Sequence, residues 1–116
     1  MRLITNKERQ RYILFIIIQE NKIFLDQKTL LKSIWKSIWR YFGMKEANRI
    51  GLWLIEFNSQ EDYFILRCSH ETKEIIISAL TLIQEINGRK IILSPIKTSG
   101  TIKSIKKHKL LLNNIK

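Results

Sequence analysis

The stretch "TSGTIKSIKKHK", residues 98–109, combines residue types that bind anions. Ser99 or Thr101 can cap a helix that follows, and Gly100 can adopt backbone angles closed to other residues. Amide groups at the start of such a helix would point outward, where the helix dipole favours a negative charge. Four lysines would surround that position: Lys97, Lys103, Lys106 and Lys107. The stretch therefore predicts either a phosphate site or an ordinary capped helix with a basic tail.

A second cationic pattern accompanies the repeat "KSIWKSIW" at residues 32–39. Cations recur at intervals of four residues: Lys28, Lys32, Lys36 and Arg40. On a helix this spacing forms one stripe, and like charges so placed destabilise an isolated helix by roughly 0.2–0.5 kcal/mol per pair. The stripe is interpreted either as a contact for a polyanion or acidic surface, or as a solvated helix face. Trp35 and Trp39 are expected to be core residues.

Catalytic constellations are not evident in the sequence. The histidines are His70 and His108, and no cluster of Cys and His residues has the spacing of zinc ligands. The sequence also contains no nucleophile elbow and no P-loop. His70 is expected near a helix cap, and Cys68 is expected to be a small residue in the core of a strand. An acylphosphatase-like enzyme would need an arginine in the loop after the first strand, and "ENKIFLDQ" has none. We therefore expect no catalytic site from this chain alone.

Composition indicates one domain with a polyanionic partner. The chain has 116 residues, 45% of them hydrophobic, and a formal net charge of +11. Nucleic acid is the first candidate partner and an anionic membrane surface the weaker one. A single cysteine suggests a reducing, intracellular setting. The apolar run "YILFIII" is much shorter than the roughly 20 residues of a membrane helix, so it is interpreted as a buried strand and no membrane-spanning helix is expected.

Hydrophobic periodicity and turn residues predict seven elements that would position these residues. The polar "SQED" predicts a hairpin between two strands, Ser69 predicts a helix N-cap, and Pro95 predicts a sheet edge. Gly43 and Asn87-Gly88 predict the ends of helices. The predicted elements are strands at 11–19, 52–58, 63–68 and 90–96 and helices at 26–42, 69–86 and 101–112.

This order is β-α-β-β-α-β followed by a helix. It predicts an α+β, ferredoxin-like or RRM-like sandwich with an additional C-terminal helix. The first strand, apolar on both faces, is expected to be central. The expected organisation is a flexible basic N-terminal arm at residues 1–10, one RNA-binding domain at 11–112 and a short tail at 113–116.

The sheet face opposite the two helices is apolar but lacks the RNA-binding pattern of an RRM. The third strand, "YFILRCSH", has no basic-Gly-aromatic opening, and the first strand is aliphatic. We therefore expect this face not to stack bases. Either the last helix or another protein should cover it, because large apolar surfaces mark interfaces.

Four segments, "LWLIEFN", "RCSH", "ALTLIQEING" and "SGTIK", together resemble a known family in order and spacing. The family is the archaeal and eukaryotic ribonuclease P protein called component two, or the Pop-five type subunit. The resemblance runs from about residue 11 to residue 107. It implies an RRM-like protein that binds the catalytic domain of an RNA, which cuts the 5′ leader from precursor tRNA.

The resemblance also implies partners and a location. A TIM-barrel-like component three would form a heterotetramer with the chain, beside precursor tRNA and other ribonuclease P proteins. The RNA would be the catalyst and would require Mg²⁺, while the chain would be a non-catalytic subunit of the endoribonuclease that binds no cofactor or metal. The cytoplasm of an archaeal-type cell is the expected location. Another basic RNA-binding protein of this fold, ribosomal or involved in ribosome assembly, is the alternative.

Matching positions assign candidate site residues. The "SGTIK" motif corresponds to residues 99–103, and "RCSH" supplies Arg67, Ser69 and His70, whose role the resemblance leaves open. The resemblance supplies Ser99, Gly100, Thr101 and Lys103, whereas the "KSIWKSIW" repeat matches no family pattern and its cations are selected for their charge. The full set of predicted RNA-binding residues is Arg11, Lys28, Lys32, Lys36, Arg40, Lys97, Ser99, Gly100, Thr101, Lys103, Lys106 and Lys107.

Overall fold

The computed structural model describes residues 9–21 and 25–115, with the backbone alone described for residues 112–115. Its elements are β1 (Gln10–Gln19), α1 (Gln27–Arg49), β2 (Leu52–Asn58), β3 (Tyr63–Ser69), α2 (Lys73–Thr81), β4 (Glu85–Ile86), β5 (Arg89–Ser99) and α3 (Ile102–Ile115). Among the described residues, no helix is both long and apolar enough to cross a membrane. Most of the predicted N-terminal arm, residues 1–8, lies outside the described residues, and Gln10 already belongs to β1.

The sheet has the strand order β2-β3-β1-β5-β4, and every neighbouring pair is antiparallel. Without the two-residue β4, the order β2-β3-β1-β5 is that of a ferredoxin-like fold, so the predicted fold class is confirmed. The apolar β1 is the middle strand, as its composition predicts. The "SQED" hairpin between β2 and β3 is also confirmed.

Helix α1 begins as predicted but does not end at Gly43. The Asp26 carboxylate accepts a hydrogen bond of 2.7 Å from the Thr29 amide, which caps the helix. Hydrogen bonding from the Thr29 side chain, and then from this amide, lowers the pKa of Asp26. Gly43 has φ 87° and ψ 170°, which interrupts the helical backbone, and a further helical segment continues to Arg49. The predicted helix end is therefore a kink that a glycine permits.

The prediction for α2 is wrong at both ends. Ser69 still pairs with Gln10 as the last residue of β3, so α2 starts only after Thr72, whose hydroxyl lies 2.9 Å from that of Ser69. Asn87 and Gly88 have φ of 53° and 78° and form the turn between β4 and β5. An Asn-Gly pair with two positive φ angles is the preferred two-residue hairpin turn, which explains why it ends no helix here.

The predicted edge position of Pro95 is confirmed within the described residues. Strand β4 pairs only with Arg89 and Lys90, so β5 has no described neighbour on its outer side at Pro95. Proline donates no ladder hydrogen bond, and an open edge tolerates that loss.

The two faces of the sheet are covered differently. One face packs on α1 and α2 through a continuous buried core in which the Phe15 and Phe64 rings stack with their centroids 5.1 Å apart. The other face, here the α3 face, has a smaller cluster in which Ile105 of α3 packs on Leu14 and Ile65. The last helix therefore covers the centre of the open face, one of the two expected arrangements.

Candidate RNA interface

Both family motifs meet at one end of the sheet. Gln10, the first residue of β1, pairs with Ser69 of β3, and Tyr12 two residues later pairs with Ser99 of β5. Because β1 lies between β3 and β5, "RCSH" and "SGTIK" flank its first residues. We call this end, with Arg11, Ser69, His70 and residues 99–103, the motif end.

The start of α3 has the geometry of a capped helix. The Ser104 amide donates to Thr101 Oγ1 at 3.2 Å, and the Thr101 amide donates to Ser99 Oγ at 3.3 Å. Thr101 is therefore the N-cap, and Ser99 supports it. The next amides, those of Ile102 and Lys103, have no acceptor within the helix by its geometry and are available to an anion.

Gly100 approaches Arg11 closely. A Cβ on Gly100 would lie 3.6 Å from Arg11 Nη1, so the arginine head lies against the "SGT" loop. Positive φ values among the described glycines occur at Gly43 and Gly88, so Gly100 does not use its special backbone freedom. Arg11 Nη1 also donates to the Gln10 carbonyl at 2.9 Å. The arrangement adds a guanidinium to the start of α3.

The predicted lysines of this region differ in whether an acidic side chain of the protein pairs with them. Lys97, Lys103 and Lys107 are exposed, and within the described residues none of them is paired with an acid. Lys106, by contrast, has its Nζ 3.4 Å from Glu56 Oε1. An ion pair within the protein reduces the charge offered to a ligand, so Lys106 is the weakest phosphate candidate of the four.

A polar latch holds α3 on its sheet face. The Tyr63 hydroxyl donates to Glu56 Oε2, and Lys106 contacts the other oxygen of the same carboxylate. The tyrosine hydrogen bond, helped by Lys106, lowers the pKa of Glu56, while burial and the same hydrogen bond raise the pKa of Tyr63. The Nζ atom of Lys109 lies 3.0 Å from Glu61 Oε1 and 4.4 Å from the centroid of the Tyr63 ring. These contacts, which we call the α3 latch, fix the direction in which α3 presents its remaining lysines.

The residues of "RCSH" take separate positions. Ser69 is buried and structural, whereas the His70 side chain is exposed at the motif end and its amide donates to the Arg9 carbonyl at 2.7 Å. Cys68 is buried, and this burial raises its pKa to about 11, which confirms it as a core residue. The guanidinium of Arg67 lies 4.7 Å from the centroid of the Trp53 ring on the α3 face.

The α1 stripe lies on the other side of the sheet. All four of its cations are exposed, and Lys32, Lys36 and Arg40 line a groove of about 470 Å³ between α1 and residues 82–87. Glu85 also lines this groove. The structure therefore confirms a one-sided stripe but does not bring it together with the motif end. Of the two tryptophans predicted for the core, Trp35 packs against it, while Trp39 is 55% exposed, which contradicts the prediction.

Sequence reasoning missed Trp53. A register shift after Leu54 gives β2 one extra residue, so Trp53 pairs with Arg67 and Glu56 pairs with Ile65. Trp53 and Glu56 are three residues apart and still share the α3 face. The aromatic run "LWLIEF" was the available signal, but alternation alone does not reveal a bulge.

The described residues contain no group of three or more His, Cys, Asp or Glu side chains that could hold a metal ion.

Comparisons with known proteins identify the family. Residues 11–110 match the model of the Rpp14/Pop5 family. The chain is 34% identical to ribonuclease P protein component 2 of Pyrococcus furiosus over 103 residues, which cover 89% of this chain and 84% of the relative. The proteins of the same name from Pyrococcus horikoshii and Archaeoglobus fulgidus are each 35% identical, over 89% and 87% of this chain and 84% and 88% of the relative.

A solved structure supports the fold. A chain in the cryo-EM structure of yeast ribonuclease MRP superimposes with a TM-score of 0.70, covering 94% of this chain and 97% of that one at 12% identity. This likeness speaks for the fold alone. The family model and the archaeal relatives confirm the resemblance carried by the four sequence motifs, and the chain belongs to the Rpp14/Pop5 family.

Proposed function

We propose that this chain is a protein subunit of ribonuclease P that binds and organises the catalytic RNA, which removes the 5′ leader from precursor tRNA. The observation that carries the proposal is the meeting of both family motifs at one basic end of the sheet. The family membership and the names of the archaeal relatives support it.

The motif end would bind RNA phosphates. The first amides of α3 supply hydrogen-bond donors, and Arg11, Lys97, Lys103 and Lys107 supply positive charge around them. Neutralising phosphates reduces repulsion between RNA segments, which would lower the concentration of Mg²⁺ that the RNA needs. The RNA with its Mg²⁺ would perform the cleavage, and the chain would hold it in shape without a catalytic residue of its own.

The α1 stripe would provide a second contact with RNA. Three of its exposed cations, Lys32, Lys36 and Arg40, line the groove between α1 and residues 82–87, although Glu85 reduces the net charge there. A single RNA segment would not contact both surfaces directly, because the sheet separates them. The stripe is therefore assigned to a different segment of the same RNA.

Protein partners would use the remaining apolar surface. Ile18 and Ile92 pair across β1 and β5 on the α3 face and are 48% and 58% exposed. Trp39, Tyr41 and Met44 are further exposed apolar side chains, at separate positions along α1. We assign these positions to ribonuclease P proteins, foremost a TIM-barrel-like component three in a heterotetramer, working in the cytoplasm.

The experiment that tests this function is recovery of the tagged chain from its native cells, followed by sequencing of the RNA that accompanies it. We expect one structured non-coding RNA and cleavage of precursor tRNA by the eluate. Ribosomal RNA without that cleavage would contradict the proposal and assign the chain to the ribosome or to its assembly.

A further inference from the structure

A row of side chains crosses four strands of the α3 face beside the motif end. Trp53 of β2 pairs with Arg67 of β3, Arg67 pairs with Tyr12 of β1, and Tyr12 pairs with Ser99 of β5. Directly paired residues in an antiparallel sheet point to the same face. Neighbouring strands lie about 4.8 Å apart, so the row spans about 14 Å from Ser99 to Trp53.

The β2 end of this row is the exposed ring of Trp53, which its neighbours hold in place. Trp53 is 51% exposed. A Cβ on Gly51 would lie 3.2 Å from Trp53 Cζ3 and 3.4 Å from Cη2, so the ring rests against the Gly51 backbone. The Arg67 guanidinium stacks 4.7 Å from the ring centroid. The ring is therefore held by its neighbours while half of its surface stays open.

Arg67 is itself held by this stack rather than by an acid. Its Nε is buried and has no hydrogen-bond partner within the described part of the chain. A cation that no carboxylate neutralises attracts anionic ligands, and a guanidinium plane is a surface on which bases also stack. The row thus combines an aromatic ring and an unneutralised cation. At its β5 end it reaches the start of α3, the proposed phosphate site.

We propose that this row is a stacking site for an unpaired nucleobase of the RNA, with Trp53 as the stacking surface, Arg67 as its support and the motif end holding the adjoining phosphates. The proposal rests on the proposed function and names the feature recognised: a single-stranded segment rather than a duplex. Sequence-specific proteins reach RNA bases mainly where the strand is unpaired, because aromatic rings stack on splayed bases.

Charge favours RNA over a protein as the occupant. Lys97 pairs with Leu14 and so lies on the same face as the row, two residues from Ser99, and Lys103 follows Ser99 in the first turn of α3. A stacking site here reverses the expectation that this face stacks no bases, yet it is not the base platform of an RRM. Helix α3 covers the centre of β1 and β3, and the open ring lies instead on the edge strand β2.

The test compares Trp53→Ala with Ile92→Ala in the full chain, because both variants remove an exposed apolar side chain from the α3 face and Ile92 lies at the end of β5 away from the row. The probes are single-stranded polyuridylate and an abasic ribose-phosphate oligomer of the same length and charge. We expect Trp53→Ala to weaken polyuridylate binding roughly 5- to 100-fold. Binding of the abasic oligomer, and the dependence of affinity on salt, should not change, because no phosphate contact is lost. Ile92→Ala should leave both affinities unchanged.

Two further measurements protect the interpretation. Trp53→Phe keeps an aromatic face and should retain most of the affinity, and equal thermal unfolding midpoints would show that the variants remain folded. Equal losses for both probes, or no loss for either, would overturn the proposal. So would intact RNA binding combined with weakened assembly with other ribonuclease P proteins, which would make the row a protein contact. The ribonuclease P assignment is tested separately, by the RNA recovered with the chain from its native cells.

Discussion

The two faces of the sheet are built for different purposes. The face under α1 and α2 is a continuous apolar core, and its buried Ser37 is satisfied by a hydrogen bond of 2.7 Å to the Ala79 carbonyl. Among the described residues, the α3 face has a smaller buried cluster of Leu14, Tyr63, Ile65 and Ile105, and charged contacts also hold its helix. The comparison indicates that the first face maintains the fold, while the second positions α3 and the motif end.

The largest expected effect is a break in the core of the first face. Phe64→Ala removes one partner of the Phe15–Phe64 stack and leaves a cavity. We expect it to lower the free energy of unfolding by about 3–5 kcal/mol, measured by urea denaturation followed by circular dichroism. A loss below about 1 kcal/mol would show that this face is not the main source of stability.

A smaller loss is expected on the α3 face. Ile105→Ala should cost about 2 kcal/mol, at the low end for a buried isoleucine, because the cluster around it is small. Hydrogen exchange should show faster exchange of α3 amides with the amides of β1 and β3 still protected. The matched control is Leu110→Ala on the same helix, since Leu110 is 61% exposed and should have almost no effect. Equal loss of protection in α3 and the sheet would contradict the division between the faces.

The motif end can be tested through its salt dependence. The double variant Lys103→Ala/Lys107→Ala should weaken binding of the ribonuclease P RNA roughly tenfold and reduce the slope of log affinity against log salt by about 1–2. The matched control, Lys45→Ala/Lys90→Ala, removes the same charge from exposed positions outside both basic surfaces. An unchanged slope in the first variant would count against the phosphate site.

Two comparisons sharpen this result. Lys32→Ala/Lys36→Ala should flatten the slope less, because Glu85 lies on the same groove and no helix amides contribute there. Lys106→Ala should have less effect than Lys107→Ala, because Glu56 already pairs with Lys106. A larger effect at Lys106 would show that RNA displaces the α3 latch.

The smallest expected effect is the pH dependence of the α3 latch. The Tyr63 hydrogen bond lowers the pKa of Glu56 from its ordinary value of 4.5, so the unfolded chain binds the proton more readily. The stabilisation is complete above pH 4.5 and is lost as the pH falls through the lowered value in the folded protein. Tyr63→Phe should therefore reduce stability by at most about 1 kcal/mol above that pH, and the difference from wild type should shrink below it. Urea denaturation at several pH values checks this, and a difference independent of pH would contradict the role of Glu56.

Much of the fold was predictable because local patterns agree with it. The continuous apolar run of β1 indicated a central strand, and "SQED" indicated a hairpin. The helix end predicted at Asn87-Gly88 is wrong, because an Asn-Gly pair occurs both after helices and in two-residue hairpin turns. The pairing of β4 with β5 decides in favour of the turn.

The site was predictable in composition but not in arrangement. The sequence shows the "SGTIK" and "RCSH" motifs, yet their meeting at β1 follows from strand order, which depends on contacts distant in the chain. The bulge at Ile55 puts Trp53 and Glu56 on one face, and no alternation of residue types reports it. The pairing of Lys106 with Glu56 likewise depends on how α3 packs.

The most direct test of the RNA-organising role is cleavage of precursor tRNA by reconstituted ribonuclease P at a series of Mg²⁺ concentrations. The RNA and the remaining protein subunits would be combined with the wild-type chain, with Lys103→Ala/Lys107→Ala, or without the chain. We expect the wild-type chain to lower the Mg²⁺ concentration required for cleavage, and the double variant to lose most of that effect. Two results would contradict the RNA-organising role: the same Mg²⁺ requirement with the double variant as with the wild-type chain, or the same requirement with and without the chain.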